Sequence, residues 1–325
     1  MAVTILVVGE VAEGALVPIS AEMLGAARRL NAGTVGCALT GAGVEALAKD
    51  AIAFGADEAY VVDDTQLAEY NSDAYIQAMQ KVVEQASPSI LLFGQTNLGR
   101  DLAPRLAFRL NTGVVMDSTE LAMAGDRLAA TRPAYGGNAR AVNVVRGNPQ
   151  IATVRAKSQD ALERDDSRQG QVTKVDAGID ASAIRVKVTE RKPLAAEGIR
   201  LEDADTVVSG GRGMGGPENF DVIEELAHAL NGAVGASRAV CDLGWRPVSD
   251  QVGLTGKVVS PTLYIAVAIS GASQHMAGCS GSKNIVAINK DADANIFKAA
   301  RFGIVEDYAK VMKPLIEAVK KEKGS

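Results

Sequence analysis

The stretch SPTLYIAVAISGASQHMAGCSGSKNIVAINKDAD, residues 260–293, decides the fold of its half of the chain. It begins with an apolar run at 263–269, which is too short to cross a bilayer and rich in the β-branched residues typical of a buried strand. The run ends at Ser270 and Gly271, a short helix is predicted at 272–277, and a second apolar strand at 284–288. This order of strand, glycine turn, helix and strand is typical of a parallel sheet that presents backbone N–H groups to a ligand.

Length and composition predict two α/β domains. A chain of 325 residues is long for one average domain, and its low aromatic content of 4% suits parallel sheets covered closely by helices. We predict an N-terminal domain at 1–194, with a Rossmann-like parallel sheet and added antiparallel or edge strands. A linker at 195–200 and a doubly wound parallel domain at 201–325 follow.

Local signals give the expected elements of the first domain. Strands and helices alternate as far as residue 110, with Ser20 expected to cap the first helix and Ser72 or Asp73 a later one. Further on we expect antiparallel or edge strands at 128–134, 141–145 and 151–154, a loop at 160–180, and a last strand at 184–188.

Several classes of function are disfavoured by composition. A net charge of -5 argues against a nucleic-acid-binding surface. Three widely separated cysteines and only two histidines make a metal site built from these residues improbable. No apolar run reaches transmembrane length, and the N-terminus carries no basic leader. We therefore expect a cytoplasmic protein that does not insert into membranes.

Two features suggest a nucleotide-like ligand, and each has a plainer alternative. The loop SGGRGMGG at 209–216 is glycine-rich, and such loops are simple turns in about half of cases. Arg212 favours the binding interpretation, because a guanidinium beside exposed backbone amides suits a pyrophosphate. A lone histidine is usually structural or exposed, as we expect for His228, but His275 lies in the turn after the buried strand.

The same stretch resembles the signature of the electron-transfer flavoprotein alpha-subunit family, also called FixB. The resemblance rests on LYIA at 263–266, ISGA at 269–272, Gln274 with His275, Gly278, and IVAINK at 285–290; upstream it includes 210–213, 234–238 and 251–256. It implies that the C-terminal domain binds FAD and that the N-terminal domain packs against a homologous beta subunit.

The resemblance also implies roles for single residues. Arg212 and Ser237 would contact the FAD pyrophosphate, and Arg238 would lie against the isoalloxazine. The Thr255 hydroxyl would approach flavin N5 and His275 would face flavin O2. Leu254 departs from the glutamine common at its position in the family. Asn289, Asp307 and Tyr308 would hold the AMP half of FAD. The full predicted FAD-binding set is Arg212, Ser237, Arg238, Gln251, Val252, Gly253, Leu254, Thr255, Ser270, Gly271, Ala272, Ser273, Gln274, His275, Asn289, Asp307 and Tyr308.

An electron carrier needs no catalytic residue pair of its own, and the sequence offers none, because the cofactor supplies the chemistry. The resemblance implies electrons from flavoprotein dehydrogenases of the acyl-CoA dehydrogenase type, as in fatty acid β-oxidation, or from NADH. They would leave to a quinone oxidoreductase, ferredoxin or another flavoprotein, by simple transfer or within an electron-bifurcating complex. Two alternatives stay open: an NAD(P)-binding Rossmann-type oxidoreductase, and a non-redox nucleotide-binding scaffold subunit.

Overall fold

The computed structural model describes residues 4–137, 139–190 and 199–323 and divides the chain into two units. Unit 1 comprises Met1–Pro133 and Arg140–Lys192, and unit 2 comprises Ala134–Ala139 and Pro193–Ser325. Most of the linker expected at 195–200 lies outside the described residues, so its bounds stay a prediction.

Unit 1 alternates strands and helices in the order expected for a wound sheet. Its strands are β1 (Ile5–Gly9), β2 (Val11–Ala12), β3 (Ala15–Leu16), β4 (Val35–Gly41), β5 (Glu58–Asp63), β6 (Ile90–Gly94), β7 (Val114–Ser118), β8 (Glu120–Ala124), β9 (Arg127–Ala134), β10 (Ala139–Val144), β11 (Gln150–Val154) and β12 (Gln171–Lys174). The last residue of β9, Ala134, and the first of β10, Ala139, belong to unit 2. Its α-helices are α1 (Pro18–Arg29), α2 (Ala48–Ala53), α3 (Ser72–Ala86) and α4 (Asn97–Arg109).

Seven of these strands form one parallel sheet in the order β12-β5-β4-β1-β6-β11-β7. Every residue of β1, β4, β6 and β11 is buried, as expected for strands with helices on both faces. Alternate strand residues divide between two cores: Leu6 and Leu91 pack with α3 and α4, whereas Ile5 and Leu92 pack with α1. The predicted Rossmann-like parallel sheet with added antiparallel strands is confirmed, since β8 and β9 pair antiparallel in a separate three-stranded sheet.

Three expectations about strands in this unit were wrong. The strand near 151–154 is neither antiparallel nor at an edge, because β11 lies between β6 and β7 and is parallel to both. The segment 160–180 contains β12, an edge strand whose mostly exposed side chains give it no apolar signal. Residues 184–188 form no strand, and Arg185 instead forms an ion pair with Asp73.

Two expected helix caps were also wrong. The first helix begins with Pro18 after Val17, and the buried Ser20 hydroxyl accepts a hydrogen bond from the Glu10 amide, 2.9 Å away. The α3 helix is capped by Asn71, whose side chain accepts from the Asp73 and Ala74 amides. The α1 start has no side-chain cap at all, whereas at α3 three adjacent polar residues could act as the cap, so the sequence left that choice open.

Unit 2 has a second parallel sheet with five strands. Its strands are β13 (Thr206–Gly210), β14 (Ala233–Ala236), β15 (Leu263–Val267), β16 (Asn284–Asn289) and β17 (Phe302–Val305). Its α-helices are α5 (Asp221–Ala229), α6 (Arg238–Asp242), α7 (Ser273–Cys279) and α8 (Tyr308–Lys323), and a 3-10 turn, Arg212–Met214, follows β13.

The strand order β14-β13-β15-β16-β17 makes unit 2 a doubly wound fold with a defined binding position. From β13 the chain first winds to β14 on one side and then returns to β15 on the other. In such sheets ligands bind at the carboxyl ends of the two strands where the winding reverses, because their loops diverge and leave a crevice. The doubly wound parallel domain predicted for this half is confirmed. No helix among the described residues is both long and apolar enough to cross a membrane.

Candidate functional site

A cavity of about 640 Å³ lies where the winding of the unit 2 sheet reverses, and we call it the switch-point cavity. Its volume is within the range typical of cofactor sites. Thirteen residues of the predicted FAD-binding set line it: Arg212, Ser237, Arg238, Gln251, Val252, Gly253, Leu254, Thr255, Ser270, Ala272, Gln274, His275 and Asn289. Sequence reasoning omitted seven further lining residues: Gly211, Gly213, Ala239, Asp242, Ala268, Ile269 and Asp291.

The loop after β13 approaches the loop after β15 so closely that only glycine fits. A Cβ atom at Gly211 would lie 2.1 Å from the carbonyl oxygen of Ala268, and Ala268 itself has a φ of 54°. This contact brings Arg212 to the cavity wall, where its side chain is exposed. Arg212 forms no ion pair with the residues that the structure describes, so its guanidinium is available to an anion.

The turn after β14 supplies a second cationic side chain, Arg238, to the cavity wall. Ser237 precedes α6 and its hydroxyl makes no capping hydrogen bond, which leaves that hydroxyl free at the cavity wall. Arg238 begins α6 and is paired with Asp242 one turn later, with 3.3 Å between Arg238 Nε and Asp242 Oδ2. Both side chains are about two-thirds exposed, so the pair is weak and Arg238 can turn towards a ligand.

The segment 251–256 forms another wall of the cavity and orients the Thr255 hydroxyl. Gln251 is buried, and its Nε2 donates to Thr255 Oγ1 over 3.0 Å. Because this hydrogen bond occupies a lone pair of the Thr255 oxygen, the hydroxyl hydrogen remains free to donate to a ligand. Leu254 is 63% exposed at the cavity, and its amide donates to the Gln274 carbonyl, 2.8 Å away.

His275 lies at the base of this wall, almost entirely buried but still lining the cavity. Its Nε2 is 2.9 Å from the hydroxyl of Tyr264, and its Nδ1 has no hydrogen-bond partner among the described residues. Burial lowers the pKa of His275 to about 4, and the nearby Val252 carbonyl opposes part of this shift. The imidazole is therefore neutral at pH 7.

The ends of β15 and β16 close the remaining side. Asn289 Nδ2 donates to the Ile269 carbonyl over 2.9 Å, and Asn289 Oδ1 accepts from the Asp291 amide over 3.0 Å. The Asn289 side chain therefore bridges two strand ends and fixes the edge of the cavity that Asp291 extends.

Four members of the predicted set do not line the cavity. Gly271, with a φ of 79°, packs against the Ile296 backbone, and the Ser273 hydroxyl points towards Gln274. Asp307 accepts from the Ala309 amide at the start of α8. The Tyr308 hydroxyl donates to the Met214 carbonyl over 2.8 Å, so Tyr308 supports the turn that carries the guanidinium at 212. A direct contact of these four residues with FAD stays a prediction.

Comparison with known proteins identifies the chain. The family model described as "Electron transfer flavoprotein domain" matches residues 5–180, and the "Electron transfer flavoprotein FAD-binding domain" matches residues 200–280. The electron transfer flavoprotein subunit alpha of Thermoanaerobacterium thermosaccharolyticum is 49% identical over 95% of this chain and 96% of its own length. The chain belongs to the electron-transfer flavoprotein alpha-subunit family.

Other relatives of this family agree along the whole chain. The subunit alpha of Megasphaera elsdenii is 45% identical over 98% of this chain and 97% of its own length. The protein FixB of Clostridium saccharobutylicum is 42% identical over 97% of this chain and 95% of its own length. The predicted family is therefore confirmed, and it is favoured over both alternatives raised by the sequence.

The residues of the switch-point cavity fit the FAD that the matched domain implies. The free Arg212 guanidinium suits a phosphate, while the Thr255 hydroxyl suits the polar edge of a flavin ring. Loops held together by close glycine contacts let backbone amides approach a ligand. The described residues contain no group of His, Cys, Asp and Glu that could hold a metal ion.

Proposed function

We propose that this chain binds FAD in the switch-point cavity and, paired with a beta subunit, carries electrons between flavoproteins. The observation that supports it most is that eighteen of the twenty residues lining the cavity lie in the segment matched by the FAD-binding domain, and that the cavity lies at the reversal point of the sheet. When bound, FAD supplies the redox chemistry, and the residues of this chain bind, orient and polarise it.

In this proposal each end of the cavity binds a different part of FAD. Arg212 and the Ser237 hydroxyl bind the pyrophosphate, since both are polar groups without a protein partner among the described residues. Arg238, Thr255 and His275 contact the isoalloxazine, where a cation and two hydrogen-bond donors stabilise negative charge on the reduced ring. Asn289 and its neighbour at 291 border the end assigned to the AMP half.

The partner proposal follows from the names of the relatives, which call them alpha subunits. A subunit so named implies a beta subunit, and a flavin bound in an open cavity needs a partner surface to shield it from water. We propose a heterodimer that accepts electrons from a flavoprotein dehydrogenase of the acyl-CoA dehydrogenase type or from NADH. It donates them to a quinone oxidoreductase, a ferredoxin or another flavoprotein.

The test is to express the chain with the product of its neighbouring beta-subunit gene. We expect size-exclusion chromatography with light scattering to show a yellow heterodimer with FAD. The flavin absorbance should then fall when a reduced acyl-CoA dehydrogenase or NADH is added without oxygen. The same preparation without a donor is the control for photoreduction.

Two results would contradict the proposal. One is a stable heterodimer that takes up no flavin when FAD is supplied in excess. The other is a flavin-loaded heterodimer that neither donor reduces at a rate above that of the control. A flavin-loaded homo-oligomer of this chain alone would overturn the beta-subunit part of the proposal.

A further inference from the structure

Two carboxylates line the switch-point cavity, although the ligand proposed for it is an anion. The charged side chains of the cavity wall are Arg212, Arg238, Asp242 and Asp291, so the wall has no net charge. Because like charges repel, a carboxylate in this wall weakens the binding of an anion unless a cation offsets it. The contacts of Asp242 show which cation that is.

Asp242 lies one helical turn after Arg238 on α6, and a single hydrogen bond joins the two side chains. Arg238 Nε donates to Asp242 Oδ2 over 3.3 Å, and the guanidinium forms no other hydrogen bond with the described residues. Its two terminal nitrogens are therefore available to a ligand. Both side chains are about two-thirds exposed, and an exposed pair of this kind changes an equilibrium by at most about fivefold. A ligand in the cavity can therefore displace the carboxylate.

Arg246, in the same unit, shows the contrasting case of an arginine with fixed partners. Its Nε lies 2.9 Å from Asp250 Oδ2, and its Nη1 donates to Glu224. Its side chain is only 22% exposed and does not line the cavity. Arg238 has one long hydrogen bond and lies at an open cavity, which suits a side chain that exchanges one partner for another.

We propose that Asp242 is a positioning residue that competes with the bound flavin for Arg238. The oxidised flavin ring is neutral and attracts the guanidinium weakly, whereas a reduced, negatively charged ring attracts it strongly. Asp242 therefore lowers the affinity of the cavity for reduced flavin more than its affinity for oxidised flavin, and so lowers the reduction potential. This inference rests on the proposed function for the identity of the ligand, while the pair of Arg238 and Asp242 depends only on this chain.

The test is the one-electron reduction potential of FAD in the heterodimer, with dithionite as the electron donor. Asp242→Asn removes the charge and keeps an oxygen that can accept from Arg238 Nε. We expect it to raise the ratio of the affinities for reduced and oxidised flavin by about two- to fivefold, which is roughly 20–40 mV for one electron. In an Arg238→Gln background the rise should be less than half as large, because only the direct repulsion between Asp242 and the ring remains. Equal rises in both backgrounds, or a fall caused by Asp242→Asn, would overturn the proposal.

Asp291→Asn is the matched control for charge in the same cavity. Asp291 lines the cavity, and its Oδ1 accepts from the Asp293 amide over 3.0 Å. Since Asp291 is not paired with Arg238, its substitution should change the potential equally with and without Arg238. A dependence on Arg238 as large as that of Asp242→Asn would show that the general field of the cavity, rather than the pair on α6, is responsible.

The pair itself is tested in flavin-free heterodimer by proton–nitrogen spectra of chain labelled with nitrogen-15 arginine. The Nε–H signal that Arg238→Gln removes belongs to Arg238, and we expect Asp242→Asn to move it. An unchanged signal would show that the two side chains are not paired, and it would overturn the proposal whether or not FAD binds. With FAD bound, the signal should move when dithionite reduces the flavin, and no movement would overturn the competition. Failure of the unmodified heterodimer to take up FAD would instead contradict the proposed function.

Discussion

Replacing Arg212 by alanine is expected to weaken FAD binding by about ten- to a hundredfold. The guanidinium lines the switch-point cavity and forms no ion pair with the described residues, so nothing in this part of the chain competes with a phosphate for it. Charge-assisted hydrogen bonds of this kind contribute about 1.5–3 kcal/mol, and each 1.4 kcal/mol changes a dissociation constant by about tenfold. Flavin fluorescence during equilibrium titration of the heterodimer with FAD measures the change.

Two further variants make the Arg212 experiment specific. Arg212→Lys keeps the charge but loses the planar pair of donors, so its affinity should lie between those of the unmodified chain and the alanine variant. Arg301→Ala removes an equal charge from unit 2 at a residue that does not line the cavity and is bonded to Asn284, and it should leave FAD affinity unchanged. Equal losses from Arg212→Ala and Arg301→Ala would show that net charge, rather than a phosphate contact, governs binding.

Glu10→Gln is expected to stabilise unit 1 by about 3 kcal/mol at pH 8 and by almost nothing at pH 4.5. Glu10 follows β1 beside the end of β6, where the winding of the unit 1 sheet reverses. Its carboxyl group is buried and accepts a hydrogen bond from the Thr96 hydroxyl, 2.7 Å away. Burial raises the pKa of Glu10 from 4.5 to about 7, although the Thr96 hydrogen bond opposes the shift.

The sign of the Glu10 effect follows from this raised pKa. The folded state holds the proton more tightly than the unfolded state, so the protonated carboxyl stabilises the fold below pH 4.5. That contribution is lost as the pH rises through about 7, because a charge must then remain buried. Glutamine stays neutral and keeps an oxygen for the Thr96 hydroxyl, so its stability should not follow this course.

Hydrogen exchange of the β1 and β6 amides in the full chain, between pH 4.5 and 8, measures the stability change. Glu13→Gln is the matched control, since Glu13 is exposed only three residues further along. The prediction fails if the two variants respond alike to pH, or if Glu10→Gln is less stable than the unmodified chain at pH 8.

The loops that build the site could be predicted because their signals are local. The stretches at 206–216 and 260–293 each contain a strand, its end and the turn that follows, all close in sequence. The structure gives the carboxyl ends of β13 and β15 the positions that such a pattern implies. Gln251 and Thr255 were included in the predicted FAD-binding set because of the family resemblance, since nothing in the sequence near them indicates a cavity.

Contacts between distant segments could not be predicted from the sequence, for a physical reason. The position of β11 inside the first sheet depends on pairing with β6, which lies about sixty residues earlier, and its own apolar pattern fits an edge as well as a centre. The pair of Tyr264 and His275 links a strand to the following helix by side-chain geometry that no periodicity records. Asp242 lines the cavity because α6 places its side chain beside that of Arg238.

The most direct measurement of the central proposal is the structure of the FAD-loaded heterodimer determined by crystallography. We expect flavin density in the switch-point cavity, with the pyrophosphate at Arg212 and the ring in contact with Thr255 and His275. Density for FAD only outside this cavity, whether in unit 1 or wholly within the beta subunit, would contradict the proposal.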